Sequence, residues 1–209
     1  IIGAAAASAL GALALVGVPE GGDRPTAPLP DPVAQVPSPV AKAPVPPPFP
    51  LDISLEFNLV DHFGQKVSEA DYRGMPVLLF FGFANCESIC TVALPRIGEA
   101  LDLLGDEAGE IAAVMVTIDP ERDTPDEMRL RLPRWHERLV GLTGSEAALA
   151  RIWADFQVNR EVVAEDPAGG AIYAHGSFIY FIGADGQMKT MVPPILGADR
   201  LAELARTYF

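Results

Sequence analysis

The chain has two cysteines, Cys86 and Cys90, four positions apart in the stretch NCESIC, and three histidines, His62, His136 and His175. A thiolate is both a nucleophile and a soft metal ligand, so the pair is open to four readings: a disulfide, a metal clamp, a nucleophile with its resolving partner, or two buried small hydrophobes. A structural disulfide closing so short a loop adds little through chain entropy. Two cysteines are also too few for a disulfide-built secreted scaffold. Polar Asn85, Glu87 and Ser88 make the segment read as solvent-facing. If a helix opens over the pair, the four-residue separation places both thiols on one face of its first turn, whose partial positive charge favours thiolate.

The histidines differ in context. His62, in VDHFG, sits at a turn and reads as structural or exposed, and His136, in RWHERL, reads as a surface residue of a charged helix. His175, in YAHGSFIYFIGADG, follows a glycine-rich loop and directly precedes a strand, a place from which its side chain can reach a neighbouring strand end. Two thiolates and one imidazole are the soft donor set suited to copper, and three ligands suit Cu(I) with room for transfer. Zinc would call for a fourth ligand or an open catalytic position.

These residues must be positioned by the segments around them. Pro76 to Phe83 (PVLLFFGF) is a continuous apolar run, the mark of a strand buried on both faces, and the cysteines follow its carboxyl end. That is where open α/β sheets place ligand sites. In TVALPRIGEALDLLGDE, Leu94, Ile97, Leu101 and Leu104 have helical spacing, with Pro95 calling for a first-turn place or a kink. Ile111 to Asp119 (IAAVMVTID) predicts a second buried strand. Thr124, Pro125 and Glu127 form a helix-opening capping box, and Pro133 should bend or end that helix. Further helices are predicted over Gly144 to Phe156, capped at Ser145, and over the closing ADRLAELARTYF. Strands are predicted over Ser54 to Asp61, over VNREVV, and twice in SFIYFIGADGQMKTMV around a turn at Asp185 and Gly186, with EDPAGGAI a loop. HFGQKVSEADYRG carries turn chemistry and a short helical piece. The alternation implies an α/β sandwich with a mixed central β-sheet.

Residues 51–209 hold this domain. Ahead of it, Ile1 to Val18 is uncharged and apolar, at the short end of a membrane-spanning helix, and reads as a transmembrane anchor whose basic flank is expected upstream. A truncated signal peptide would show a similar run. Residues 19–50 are proline-rich, with proline at more than a third of positions, and predict an extended tether. A formal net charge of −13 argues against a nucleic-acid partner and against adhesion to anionic lipid heads.

Four stretches in order, the apolar anchor, FFGFANCESIC, VTIDPERDTP (Val116 to Pro125) and AHGSFIYFIGADG with Tyr180, resemble the Sco/SenC family of membrane-anchored, thioredoxin-like copper chaperones for cytochrome c oxidase. VTIDPERDTP nearly coincides with the family's usual string. The resemblance implies a thioredoxin-like fold in which Cys86, Cys90 and His175 bind one copper, Cu(I) or Cu(II). It also implies delivery of that copper to the copper-centre subunit of the oxidase, or reduction of that centre's cysteines. Asp119 and Asp123 would support the site or the backbone. The domain would face the periplasm from the inner membrane, or the intermembrane space in a mitochondrion. Two alternatives stay open: a thiol:disulfide oxidoreductase with Cys86 and Cys90 as its redox pair, and an accessory subunit built permanently into a respiratory complex or supercomplex. The chain departs from the family in carrying Glu87 and Thr91 where prolines commonly follow the cysteines, and Phe83, Ala84 and Asn85 in the lead-in. Glu87 places a negative charge beside the thiols, which disfavours thiolate unless a metal compensates.

Overall fold

The computed structural model describes residues 53–85, 90–166 and 169–209; the expected anchor at 1–18, the expected tether at 19–50 and Cys86 lie outside them. Among the described residues no helix is long and apolar enough to cross a membrane. The strands are β1 (Asn58–Asp61), β2 (Lys66–Ser68), β3 (Val77–Gly82), β4 (Ala112–Thr117), β5 (Leu139–Thr143), β6 (Arg160–Glu165), β7 (Ala171–His175), β8 (Ile179–Ile182) and β9 (Met188–Val192). The α-helices are α1 (Cys90–Leu104), α2 (Pro125–Arg131), α3 (Glu146–Asp155) and α4 (Ala198–Tyr208).

A run such as VLLFFG has no polar side to turn to water, and β3 is accordingly buried at every position in the middle of the sheet. The sheet order is β2-β1-β5-β4-β3-β8-β9, with β3, β4 and β5 parallel and the outer strands antiparallel. This is the expected mixed, thioredoxin-like α/β sheet. Side chains of β3 alternate across it. On one face Phe80 lies beside Cys90 of α1; on the other Phe81 packs edgewise on Tyr180 and against Phe156, just past α3. Leu94, Ile97, Leu101 and Leu104 all point inward from α1, and Pro95 sits in its second turn. Thr124 caps α2 by accepting the Glu127 N–H at 3.3 Å, while the Glu127 carboxylate pairs with Arg131. Pro133 ends α2 in a short 3-10 turn, Leu132–Arg134.

Several features depart from the sequence expectations, among them the short edge strand β2 in a segment expected to turn and then enter a helix. The central strand β5 was not foreseen, because LVGLT is short and has a glycine at its centre. That glycine is there because α2 lies directly on it: a Cβ on Gly141 would come 2.5 Å from Leu132 Cδ1 and 2.8 Å from Met128 Sδ. At the same point β1 has ended, and the buried His62 ring takes over its ladder, Nδ1 accepting the Gly141 N–H at 3.0 Å. Burial holds the His62 pKa below its usual value. His136 is not helical: Pro133 has turned the chain, and the half-buried ring accepts the Arg138 N–H at 3.1 Å on the surface of α1 near Asp102. Finally, Ala171–His175 pairs with β6 as a separate two-stranded sheet, so His175 ends a strand as well as preceding β8.

Gly141→Ala forces a methyl into the α2–β5 contact, where overpacking costs about 1–3 kcal/mol. The denaturant midpoint is expected to fall with an unchanged slope; an unaltered midpoint would contradict this packing.

Candidate metal centre

The cysteine loop leaves the sheet from a fixed point. Gly82 O accepts the Ile118 N–H at 2.9 Å. Two residues on, the Ala84 N–H reaches both carboxylate oxygens of Asp123, at 3.1 and 3.0 Å, and Ala84 O accepts from Arg134 at 2.8 Å. Both peptide groups of Ala84 are therefore held two positions before Cys86. Cys86 itself, with Glu87, Ser88 and Ile89, lies outside the described residues. Cys90 is fully buried, not solvent-facing, because it belongs to the inward stripe of α1 with Ala93, Leu94 and Ile97. It lies against β3 where there is no side chain: a Cβ on Gly82 would be 3.0 Å from Cys90 Sγ and 2.6 Å from Phe80 Cε1.

The histidine approaches from the β6–β7 hairpin. Its ring meets the edges of Phe80 and Phe83, with centroids 6.4 and 6.3 Å away and interplanar angles of 66° and 64°. Phe80 thus borders both the Cys90 sulfur and the imidazole. His175 Nδ1 is 3.0 Å from Gly176 O. A carbonyl oxygen only accepts, so Nδ1 carries the hydrogen and, in the neutral ring, Nε2 carries the lone pair. Nε2 is buried and has no hydrogen-bond partner among the described residues. A buried acceptor without a partner is costly and calls for an explanation. An imidazole with Nδ1–H on a backbone carbonyl and a bare Nε2 is the arrangement of a metal-ligating histidine.

Between the two halves runs the turn from β4 to α2. Asp123 is completely buried and accepts the Thr117 hydroxyl at 2.6 Å besides the Ala84 N–H. Burial pushes its pKa up to about 6, against the lowering effect of those hydrogen bonds. The Asp119 N–H donates to Thr117 Oγ1 at 2.9 Å, and the Asp119 carboxylate pairs with the Arg122 Nε–H. Arg160, opposite His175 in the hairpin, donates to Ile118 O at 2.7 Å and stacks on Trp153.

Of the three ligands expected from the sequence, the structure brings Cys90 and His175 to one end of β3. Among the described residues no group of three or more histidine, cysteine and acidic side chains converges. A thiol and an imidazole with an open lone pair, bordered by two phenylalanine rings, fit a soft metal ion. Sequence reasoning missed Arg122, Arg134, Arg160, Thr117 and Phe80. Thr117 and Arg122 lay inside the recognised VTIDPERDTP string and Phe80 opened FFGFANCESIC, whereas Arg134 and Arg160 carried no spacing signal.

The SCO1/SenC family model matches residues 46–209. A mitochondrial SCO2 homologue from Bos taurus is 32% identical over 155 residues, which cover 73% of this chain and 58% of that one. The one from Danio rerio is 35% identical over 155 residues, covering 73% and 56%. The chain spans little more than half the length of these curated relatives. Among solved structures, Bradyrhizobium japonicum ScoI with copper bound superposes with a TM-score of 0.69 at 29% identity, over 75% of this chain and 99% of that one. Arabidopsis thaliana ScoI with copper bound gives 0.68 at 25% identity, over 75% and 99%.

The raised Asp123 pKa has a definite sign. Between about pH 4 and 6 the folded protein holds this proton more tightly than the unfolded chain, so the stability it contributes is present below about pH 4 and lost as pH rises through about 6. Compared with Asp123→Asn, the wild type is expected to lose on the order of 3 kcal/mol between pH 4 and 7. Denaturant midpoints of both proteins across that range measure it; a difference that does not change with pH would contradict it.

Proposed function

The chain belongs to the SCO1/SenC family, and we propose that it is a copper-binding assembly protein for cytochrome c oxidase. In this reading copper is cargo, held by the thiolates of Cys86 and Cys90 and by Nε2 of His175, as Cu(I) or Cu(II). The observation that carries the reading is the buried Nε2 lone pair of His175, in a ring bordered by Phe80, with no hydrogen-bond partner among the described residues. Thiol–disulfide exchange has no use for such an atom, whereas a copper site does. Two structural neighbours with copper bound support the same choice.

Each residue has its task. Burial of Cys90 and the rings of Phe80 and Phe83 keep water from the thiolate and the imidazole. The Gly176 carbonyl keeps the proton on Nδ1. Asp123 and Arg134 hold the start of the cysteine loop. Three donors leave room for an incoming ligand from a client, so copper can leave by ligand exchange. We place the client at the copper-centre subunit of the oxidase, as the family resemblance implies. We further propose that residues 1–50 anchor and tether the domain on the periplasmic or intermembrane-space side of the membrane, a reading that rests on the apolar run Ile1 to Val18 and the proline-rich segment after it.

The reduced protein is expected to carry about one copper per chain with mixed sulfur and nitrogen ligation by X-ray absorption. Cys86→Ser, Cys90→Ser and His175→Ala should each lose stable binding, and His175→Ala should do so without unfolding. Full copper retention in His175→Ala with unchanged ligation would overturn the assignment.

A further inference from the structure

We propose that Arg122 is the positioning residue for His175, fixing the hairpin that carries the imidazole to the turn that also holds the cysteine loop. The inference rests on the reading of His175 as a copper ligand. Among the described residues the β6–β7 hairpin shares no hydrogen-bonded ladder with the seven-stranded sheet, and most of β6 is exposed. Something other than strand pairing must therefore set the ring over Phe80 and Phe83.

Arg122 makes the necessary contacts at the hairpin's tip. Its Nη2 donates to the carbonyl of Ala171, the first residue of β7, and its Nη1 donates to Gly169 O at 3.3 Å, with the Asp166 carboxylate at 3.6 Å. The tip closes tightly on the guanidinium: a Cβ on Gly170, where φ is +97°, would lie 2.8 Å from Nη1. From the same planar group, Nε–H is held by Asp119, and the cation sits 5.5 Å from the centroid of Phe83. Phe83 is in turn edge-on to His175 and stands immediately before Ala84. At the other end of the hairpin Arg160, cross-strand from His175, is bound to Ile118 O. Arg122 alone among these groups touches both the hairpin tip and the lead-in to the cysteines. The role needs an arginine, since a lysine ammonium cannot present a rigid fork to two carbonyls while a third N–H holds Asp119.

The test uses the full chain as wild type, Arg122→Ala, Arg122→Lys and His175→Ala. The measurements are amide hydrogen exchange over 171–175 without metal, Cu(II) affinity by competition, and the nitrogen coupling of the Cu(II) electron paramagnetic resonance signal. Both Arg122 variants are expected to unfold cooperatively and to exchange faster along β7. Their Cu(II) affinity should drop about 10–100-fold, with a weakened nitrogen coupling. Wild-type affinity and nitrogen coupling in Arg122→Ala overturn the proposal, even if exchange is faster, because Arg122 then only stabilises the hairpin. If Arg122→Ala does not fold, the same readouts on Arg122→Lys decide it in the same way. If wild type and His175→Ala bind Cu(II) alike, the copper-ligand reading fails instead, and with it the proposal that depends on it.

Discussion

The carboxylate of Asp123, buried between the ends of two parallel strands, is the constraint on which the rest of the site depends. It accepts the backbone N–H of Ala84 beyond β3 and the hydroxyl of Thr117 at the end of β4, and so fixes where the cysteine loop leaves the sheet. Burial makes its ionised form costly, and the turn answers with linked hydrogen bonds: Thr117 is shared with the Asp119 N–H, and Asp119 orients Arg122. One turn, Thr117 to Pro125, therefore faces the cysteine loop through Asp123, faces the histidine hairpin through Arg122, and opens α2 at Thr124.

The proposed donors Cys90 and His175 stand on elements of different burial. Cys90 stands on a helix whose inner stripe is buried throughout, and its sulfur lies against β3 at Gly82. His175 stands at the end of a two-stranded hairpin that touches the domain through arginines and aromatic edges. On the proposed reading, in which copper is held and later released, this division has a physical logic. A packed thiolate would then set the place of binding, and a ligand on a less buried arm, held at its tip by Arg122, would adjust as the metal is taken up and surrendered. Local stability follows buried apolar contact, and β6 has little of it.

Much of this was legible beforehand, and the omissions have physical causes. β3 and β4 announced themselves as unbroken apolar runs, and α1, α2 and α3 through periodicity and caps. β5 did not, since the glycine that weakens its strand signal is demanded by a helix lying on it from elsewhere in the chain. β7 was missed because its first two residues, Ala171 and Ile172, follow two glycines and read as the end of a loop, and its partner β6 gives no local signal of the pairing. Chemistry-bearing residue types pointed to Cys86, Cys90 and His175. Arginine hydrogen bonds to distant carbonyls, such as Arg134 to Ala84 and Arg160 to Ile118, leave no trace in local spacing. The burial of Cys90 was hidden by its polar neighbours in NCESIC, because the apolar stripe it joins, Ala93, Leu94 and Ile97, lies outside that stretch.

The central claim concerns one atom, Nε2 of His175. Nitrogen-15 resonance of the His175 ring in the reduced protein, followed through a titration with Cu(I), tests it most directly. The account predicts a metal-free ring with the proton on Nδ1 and a bare Nε2, and a shift of Nε2 that is complete at about one equivalent of Cu(I) while Nδ1 stays protonated. An Nε2 resonance that does not move as copper binds would contradict it.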